Sequence, residues 1–365
     1  MKIQFDASAM ADAAKVATSL APPQSGNIVL NVARGIIQLI TMGESSSAMI
    51  IVPGKVHEEG MIALDAAAFQ TAVRGRGEMN AVLTKSAFNL SAGNFKIGLP
   101  TVEAINESTP NTKEWNGHKV SPEQGEWLKW ALQQTNLGSD KQLGVTSHYV
   151  SLSMSGTGAV LCCYDNDRMA YAYDKKIKGD LDVALPRATL LQVASTFSAT
   201  HFKFQSENGV LRAWNKLAIA TFSLIAPQFT LPTEQLVGRI KESRHEPKAV
   251  WSFDNKEVKE FLSNARAVLM ADSKTALTIA LNERYAQLKI HSLSGRAEIR
   301  MESCEVSTPI EFEVDAGFFS EMISVGLETI YIHDTYIAAH GDGFGHIMAR
   351  NAPKNIAGEG EGDVD

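Results

Sequence analysis

The sequence predicts an α+β fold of three tandem domains, each with two helices packed on antiparallel sheets. Three observations predict it. First, one pattern, an alternating apolar strand running into a short amphipathic helix, occurs three times, over 61–69, 181–190 and 310–319. Aligning Leu64, Leu185 and Val314 spaces the copies 121 and 129 residues apart, a domain-sized period far above the roughly 20–50 residues of a solenoid unit. Second, 365 residues with 44% hydrophobic content can build several cores at roughly 100–200 residues per domain. Third, the strands are divided by turns such as Glu207-Asn208-Gly209 and Gly341-Asp342-Gly343, residues that suit tight hairpins and therefore antiparallel sheets.

The elements follow in order. Domain 1 spans 1–118. Its first helix begins near Asp6, places Met10, Ala13, Ala17 and Leu20 at helical spacing, and stops before Pro22-Pro23. Strands are expected over 27–32, 36–40, 81–83 and 88–90. Domain 2 spans 119–238 and opens with Ser121-Pro122-Glu123-Gln124, a capping box with proline at the first helical position, ahead of Trp127, Leu128, Ala131 and Leu132. Its strands include 202–204 and 217–222. Domain 3 spans 239–354; its helix opens with Asp254-Asn255-Lys256-Glu257 and carries Val258, Phe261, Leu262, Ala265 and Leu269 on one face. Strands follow over 277–281, 286–290, 330–332 and 336–339. With the helix in each repeat copy, six helices are expected, joined by linkers over 108–118 and 232–247. Residues 355–365 form an acidic Gly-rich tail without an apolar face to bury, and disorder is expected there.

Several function classes are disfavoured. Met1-Lys2-Ile3-Gln4-Phe5-Asp6 turns polar before a leader's apolar core can form, and no run approaches the roughly 20 apolar residues that cross a bilayer, so a cytoplasmic protein without membrane association is expected. Cys162, Cys163 and Cys304 are odd in number and lack CxxC spacing, which points to neither a disulfide framework nor a zinc site. The net charge of −7 argues only weakly against nucleic acid, because four acids sit in the last eight residues and a basic surface can coexist with an acidic total. No phosphate loop, nucleophile elbow or HExxH pattern occurs; His333-Asp334 reads as a turn-associated polar pair rather than a general-base pair, since neighbours on a strand would point to opposite faces, and Gly341–Gly345 reads as a hairpin turn. The chain is read as a non-enzyme without cofactor or metal. Rival readings are a scaffold of repeated β-rich domains and an enzyme with a site between domains.

Tyr164-Asp165-Asn166-Asp167-Arg168-Met169-Ala170 is similar to the Thr-Asp-Gly-His-Arg-Leu-Ala segment of the bacterial DNA polymerase III beta subunits, the sliding clamps. It is followed, as in that family, by an alternating strand and a Pro-Arg pair, here Pro186-Arg187, and Asn94-Phe95-Lys96-Ile97-Gly98-Leu99-Pro100 resembles the end of the first clamp domain. With the three-domain order, the resemblance covers nearly the whole chain, in a version open to phage origin. It implies a homodimer closing into a six-domain ring around double-stranded DNA, helices lining the hole, with the replicative DNA polymerase and a clamp-loader ATPase as partners.

The resemblance also implies sites. On the polar faces of the helices, Lys15, Arg74, Arg76, Lys129, Arg187, Lys256, Lys259 and Arg266 would face DNA, although Asp12, Glu126, Glu260 and Glu321 dilute the basic signal. A partner-peptide groove would take Asp165, Asn166, Asp167, Arg168, Met169, Pro232, Ile347, Met348 and Arg350. The dimer interface would use Phe95 on one side and Leu269 and Met270 on the other. Two departures from the family pattern stand out: Asn166 and Asp167 replace Gly and His, and the chain continues beyond the groove residues through Asn351-Ala352-Pro353-Lys354. The acidic tail is expected to compete with partner peptides.

Overall fold

The computed structural model describes residues 1–75, 77–85, 87–102, 115–137, 149–165, 167–224, 233–265, 275–292, 295–302 and 304–350. The chain begins with β1 (Lys2–Asp6), α1 (Ala7–Leu20), β2 (Asn27–Ala33), β3 (Ile36–Met42), β4 (Ser46–Val52), β5 (Gly54–Glu58), β6 (Gly60–Asp65), α2 (Ala66–Val73), β7 (Glu78–Leu83), β8 (Phe88–Ala92) and β9 (Phe95–Leu99). It continues with β10 (His118–Val120), α3 (Pro122–Gln134), β11 (Tyr149–Ser155), β12 (Gly158–Tyr164), β13 (Arg168–Asp174), β14 (Leu181–Pro186), α4 (Arg187–Phe197), β15 (Phe202–Glu207), β16 (Val210–Trp214) and β17 (Ala218–Ser223). The last part holds α5 (Thr233–Glu242), β18 (Ala249–Phe253), α6 (Asn255–Asn264), β19 (Ala276–Leu281), β20 (Ala286–Ser292), β21 (Gly295–Met301), β22 (Cys304–Val306) and β23 (Ile310–Asp315). It closes with α7 (Ala316–Ser324), β24 (Thr329–Ile332), β25 (Tyr336–His340) and β26 (Phe344–Ala349).

The strand-to-helix repeat has a local cause. Asp6, Asp65 and Asp315 each end a strand, and each side chain accepts from the backbone N–H three residues on, at 2.9, 2.7 and 2.9 Å. Such a cap satisfies an N–H that the first turn leaves without a partner, and so fixes where the strand stops. At the head of α3 the capping box closes in both directions, Ser121 N–H to Gln124 Oε1 at 2.7 Å and Gln124 N–H to Ser121 Oγ at 3.2 Å. The helix of the second repeat copy, α4, follows Pro186 and has no side-chain cap. Between β15 and β16, Asn208 and Gly209 both have positive φ, 51° and 72°, the backbone of a type I′ hairpin turn.

One expectation is corrected. The 232–247 stretch, read as a linker, contains α5, so the described residues hold seven helices rather than six. Leu236 and Ile240, one turn apart, are buried on a sheet face. Glu234 in the first turn and Arg239 and Lys241 in the last complement the helix dipole.

The chain divides into two compact units, residues 1–129 with 185–226, and residues 130–184 with 227–365. In the first unit, a five-stranded sheet runs β5-β1-β7-β8-β9 and an eight-stranded sheet β10-β15-β16-β17-β4-β3-β2-β6. The eight-stranded sheet is joined at its middle by antiparallel pairing of β17 with β4, from Ala218 beside Ile50 to Phe222 beside Ser46. Helix α1 packs on one face through Met10, Ala14 and Ala17, and buried Thr41 Oγ1 donates to the Ala17 carbonyl at 2.8 Å. Gln70 of α2 donates to Thr18 Oγ1 at 2.9 Å, and Gln192 of α4 to the Ser19 carbonyl at 3.1 Å. These bonds tie both α2 and α4 to the last turn of α1.

In the second unit, a nine-stranded sheet runs β14-β11-β12-β13-β26-β25-β24-β18-β22 and a four-stranded sheet β21-β20-β19-β23. Here β13 pairs antiparallel with β26, from Arg168 beside Met348 to Ala172 beside Phe344. The largest core of this unit is built around Trp251, whose ring stacks parallel to Phe319 at 6.4 Å. Buried Asn255 of α6 donates to the Ile323 and Leu327 carbonyls at 3.0 and 2.8 Å, satisfying the end of α7. Residues 119–238, read as one domain, thus contribute β15–β17 to one large sheet and β11–β13 to the other.

Candidate functional site

The segment with the family resemblance folds as the turn between β12 and β13. Asp165 Oδ1 accepts from the Asp167 and Arg168 N–H groups, both at 2.9 Å, and Asp165 N–H donates to the Arg168 carbonyl at 2.9 Å. One aspartate therefore shapes the turn. Arg168 Nε donates to Asp165 Oδ2 at 2.7 Å, its Nη1 to Glu321 Oε2 of α7, and its guanidinium lies 3.8 Å from the Phe318 ring centroid. The Arg168 side chain is almost wholly buried, so it fastens the turn to α7.

Asp165, Asp167, Arg168, Met169 and Ile347 line one cavity of about 410 Å³. Its remaining wall was not foreseen: Arg239 and Glu242 come from α5, Thr335 and Tyr336 from the end of β24–β25, and Ala349 from β26. Met348 faces the other way, into the core around Trp251, and is 2% exposed. Arg350 stands outside the lining; its N–H donates to the Thr335 carbonyl at 2.8 Å and its Nη1 to the His333 carbonyl at 2.5 Å, holding the β24–β25 turn. Asn166 and Pro232 lie outside the described residues.

Helix α5 borders the cavity and is itself anchored. Leu236 and Ile240 pack on Cys162, Tyr164, Met169 and Tyr171; burial pushes the Cys162 thiol up. Just past α5, the Ser243 carbonyl accepts from Nε2 of both His340, at 3.0 Å, and His333, at 3.2 Å. His340 Nδ1 lies 2.5 Å from the Tyr171 hydroxyl. With Nε2 donating, Nδ1 accepts from Tyr171, so the network is satisfied by neutral imidazole. Burial, then the neighbouring positive charge of Arg244, hold His340 down to about 4 against the opposing Ser243 carbonyl, and burial lowers His333 too. His346 on β26 is buried, bonds the Gln134 carbonyl at 3.0 Å, and is also lowered to about 4 by burial.

The basic candidates are spread over the helices. Lys15 on α1 and Arg74 at the end of α2 are exposed, Lys129 on α3 and Arg187 at the start of α4 half-buried, and Lys256 and Lys259 on α6 exposed. Arg76 and Arg266 lie outside the described residues. Phe95, half-buried, sits on β9, the edge strand of the five-stranded sheet; Leu269 and Met270 lie outside the described residues. On the four-stranded sheet, edge strand β21 flanks α6, and a cavity between them is lined by Phe261, Ala297 and Ile299 with Glu257, Glu260 and Arg296. Among the described residues, no group of three or more His, Cys, Asp or Glu is placed to hold a metal ion, and no helix is long and apolar enough to cross a membrane.

Two large sheets, each crossing from one sequence repeat to the next and carrying capped helices, define an α+β fold of the DNA-clamp class. The particular fold is that of the bacterial DNA polymerase III beta subunit, the sliding clamp. The chain is similar to the DNA polymerase III subunit beta of Pseudomonas aeruginosa, with a TM-score of 0.78, 14% identity, and 96% of this chain and 100% of that one covered. The beta subunit of Thermotoga maritima gives 0.77 at 13% identity over 96% and 99%, and the DNA polymerase sliding clamp of Caulobacter crescentus 0.76 at 13% over 96% and 100%. No protein-family model matches the sequence, and no curated protein does.

Proposed function

We propose that this chain is a DNA polymerase processivity factor, a sliding clamp of three domains (1–118, 119–238 and 239–354) that acts as a homodimeric ring on double-stranded DNA. One observation carries the reading. The β17–β4 and β13–β26 pairings fuse successive repeats into continuous sheets and leave two smaller sheets, one edged by β5 and β9 and the other by β21 and β23. Open edges invite pairing with another chain; two copies joined β9 to β21 twice would close a ring with twofold symmetry. Phe95 on β9 and the apolar positions Ala297 and Ile299 on β21 would meet there.

The mechanism is topological. A closed ring stays on duplex DNA without tight binding, since escape requires opening an interface. Lys15, Arg74, Lys129, Arg187, Lys256 and Lys259 would contact phosphates without reading bases, contacts weak enough to exchange as the ring slides. The cavity beside the Asp165–Met169 turn would hold a linear peptide of the replicative polymerase or the clamp-loader ATPase, and tethering there raises the local concentration of the polymerase at the primer end.

The experiment is negative-stain electron microscopy of the purified protein with sedimentation velocity in parallel. Rings of apparent sixfold symmetry at dimer mass are the expected result. Elongated monomers at every concentration up to tens of micromolar, with no ring formed on primed DNA in the presence of a loader, would sink the reading.

A further inference from the structure

The face of the eight-stranded sheet turned away from α1 carries one continuous cross-strand row. Register sets Lys203 beside Trp214, Trp214 beside Ile219, Ile219 beside Met49, Met49 beside Ile40 and Ile40 beside Val29. The alternate residues Leu39, Thr41 and Ile50 face α1, so this row lies on the opposite face of the sheet, where Ile40, Met49, Trp214 and Ile219 form a buried cluster, each 5–9% exposed. A cavity of about 580 Å³ opens on it, with Trp214, Ile219, Met49 and Ile51 among its walls. Its charged lining is cationic, Lys119, Lys203 and Lys216, beside the polar Gln38, His201 and Asn215, with no carboxylate among the described lining residues.

The same sheet is unusually apolar at its exposed positions. Ile36 (39%), Met42 (38%), Val102 (55%) and Leu217 (55%), four of the five large apolar side chains exposed among the described residues, lie on it or beside it. Contiguous apolar surface framed by charge marks interaction sites on otherwise polar proteins. Trp214 is only 6% exposed, with Trp115 packed edge-on against it at 5.1 Å. Its ring is therefore a fixed wall for an anchor, and no ring face stands open for a nucleic-acid base to stack on.

We infer that this face is a second docking surface, built for an acidic peptide segment of a partner protein that inserts one bulky apolar side chain. The apolar wall takes the anchor; the three lysines, spaced around it, take the carboxylates and fix the segment's register. Anchors in closed apolar pockets supply most of the binding energy, while rim charges set rate, salt dependence and partner choice. The site goes beyond the clamp reading, since it shares no residue with the cavity at the Asp165–Met169 turn.

The test uses the full chain and three fluorescein-labelled probes: acetyl-Asp-Asp-Glu-Leu-Phe-Glu-Asp-Asp, the same peptide with every acid replaced by lysine, and single-stranded oligothymidylate. Anisotropy is read at low and at physiological salt. The acidic probe is expected to bind, to weaken as salt rises, and to lose about tenfold or more on the Lys203→Glu/Lys216→Glu double change. Arg284→Glu, exposed in the other unit and outside both cavities, is expected to leave it unaltered, and a thermal melt confirms that the lysine variant folds. Equal binding of the acidic and basic peptides, or tighter binding of the oligonucleotide that falls with Lys203→Glu/Lys216→Glu, overturns the proposal. So does self-association that Leu217→Asp abolishes, which would make a second copy the occupant, or binding of the acidic probe only after residues 103–114 are replaced by Gly-Ser repeats, which would make that segment the occupant.

Discussion

Arg168 and Glu321, 153 residues apart in the chain, form an ion pair that ties the β12–β13 turn to α7. The same guanidinium bonds Asp165 at 2.7 Å, and the Arg168 and Asp165 side chains are 3% and 2% exposed. Removing one member of a buried pair strands the other charge away from water, at a cost of about 3–5 kcal/mol. Arg168→Ala is therefore expected to lower the urea stability of the second unit by about that amount. Glu321 is a third exposed and Arg168 stays paired with Asp165 when it is neutralised, so Glu321→Gln is expected to cost only about 1 kcal/mol. Tryptophan fluorescence through denaturation checks both; an unmoved midpoint for Arg168→Ala would mean that the arginine faces partners rather than fastening the turn.

Two buried histidines make stability depend on pH. His346 and His340 are held down to about 4 by burial, against about 6.5 in the unfolded chain. Between those values the unfolded chain binds more protons than the folded one, so stability rises with pH. It is complete above about 6.5 and drains away as pH falls towards 4. At pH 4.5 the fully buried His346 alone is expected to have cost about 2–3 kcal/mol. The checking measurement is the denaturation midpoint at pH 7 and 4.5 for wild type and His346→Gln. A variant as steep in pH as wild type would remove His346 from the account.

Much of this architecture was legible because it is written locally. Asp6, Asp65, Asp254 and Asp315 announce helix starts by side-chain chemistry, and Asn208-Gly209 announces a hairpin through positive φ. The capping box at Ser121 forms as written. What local reading missed depends on distant partners. The apolar stripe of Leu236, Val237 and Ile240 covers little more than one turn, too short to hold a helix by itself, and burial against Met169 and Tyr171 stabilises α5. The cavity wall fared likewise: Asp165, Asp167, Arg168 and Met169 could be named from their resemblance, whereas Arg239, Tyr336 and Ala349 join them only through the β13–β26 pairing and α5. Met348 differs from Ile347 only by the alternation of a strand, which sends one into the core and the other to the cavity.

The helix lysines and arginines carry a salt-dependent prediction. If Lys15 and Arg74, both exposed on helices of the first unit, meet phosphates, then Lys15→Glu/Arg74→Glu weakens binding to any duplex sequence equally. The slope of log affinity against log salt is expected to fall by about 1 per lost contact. Fluorescence anisotropy on two unrelated duplexes measures both quantities. An unchanged slope would return these charges to ordinary solvated helix faces.

The cavity at the Asp165–Met169 turn carries the prediction that bears most directly on tethering. Its polar groups are not equally free to serve a ligand, because Asp165 and Arg168 are already spent on each other and on Glu321. Among the other polar side chains of the lining, a peptide would meet Tyr336, half-buried and stacked 4.3 Å from His333, Arg239 with Glu242 on α5, and Asp167 and Thr335. Tyr336→Ala removes an aromatic wall that a bound anchor would touch, and interface tyrosines of this kind commonly cost more than 1 kcal/mol when truncated. The expected result is a loss of about tenfold in affinity for a linear peptide of the replicative polymerase, with Arg239→Glu shifting the preference from acidic towards basic peptides. Lys216→Glu, on the other unit, is expected to change neither. Deleting residues 355–365, which hold four acids, should tighten peptide binding if the tail competes for this cavity. Isothermal titration calorimetry on the five proteins separates these outcomes: wild-type affinity in Tyr336→Ala would place the peptide site elsewhere, and an unchanged affinity in the truncated chain would remove the tail from it.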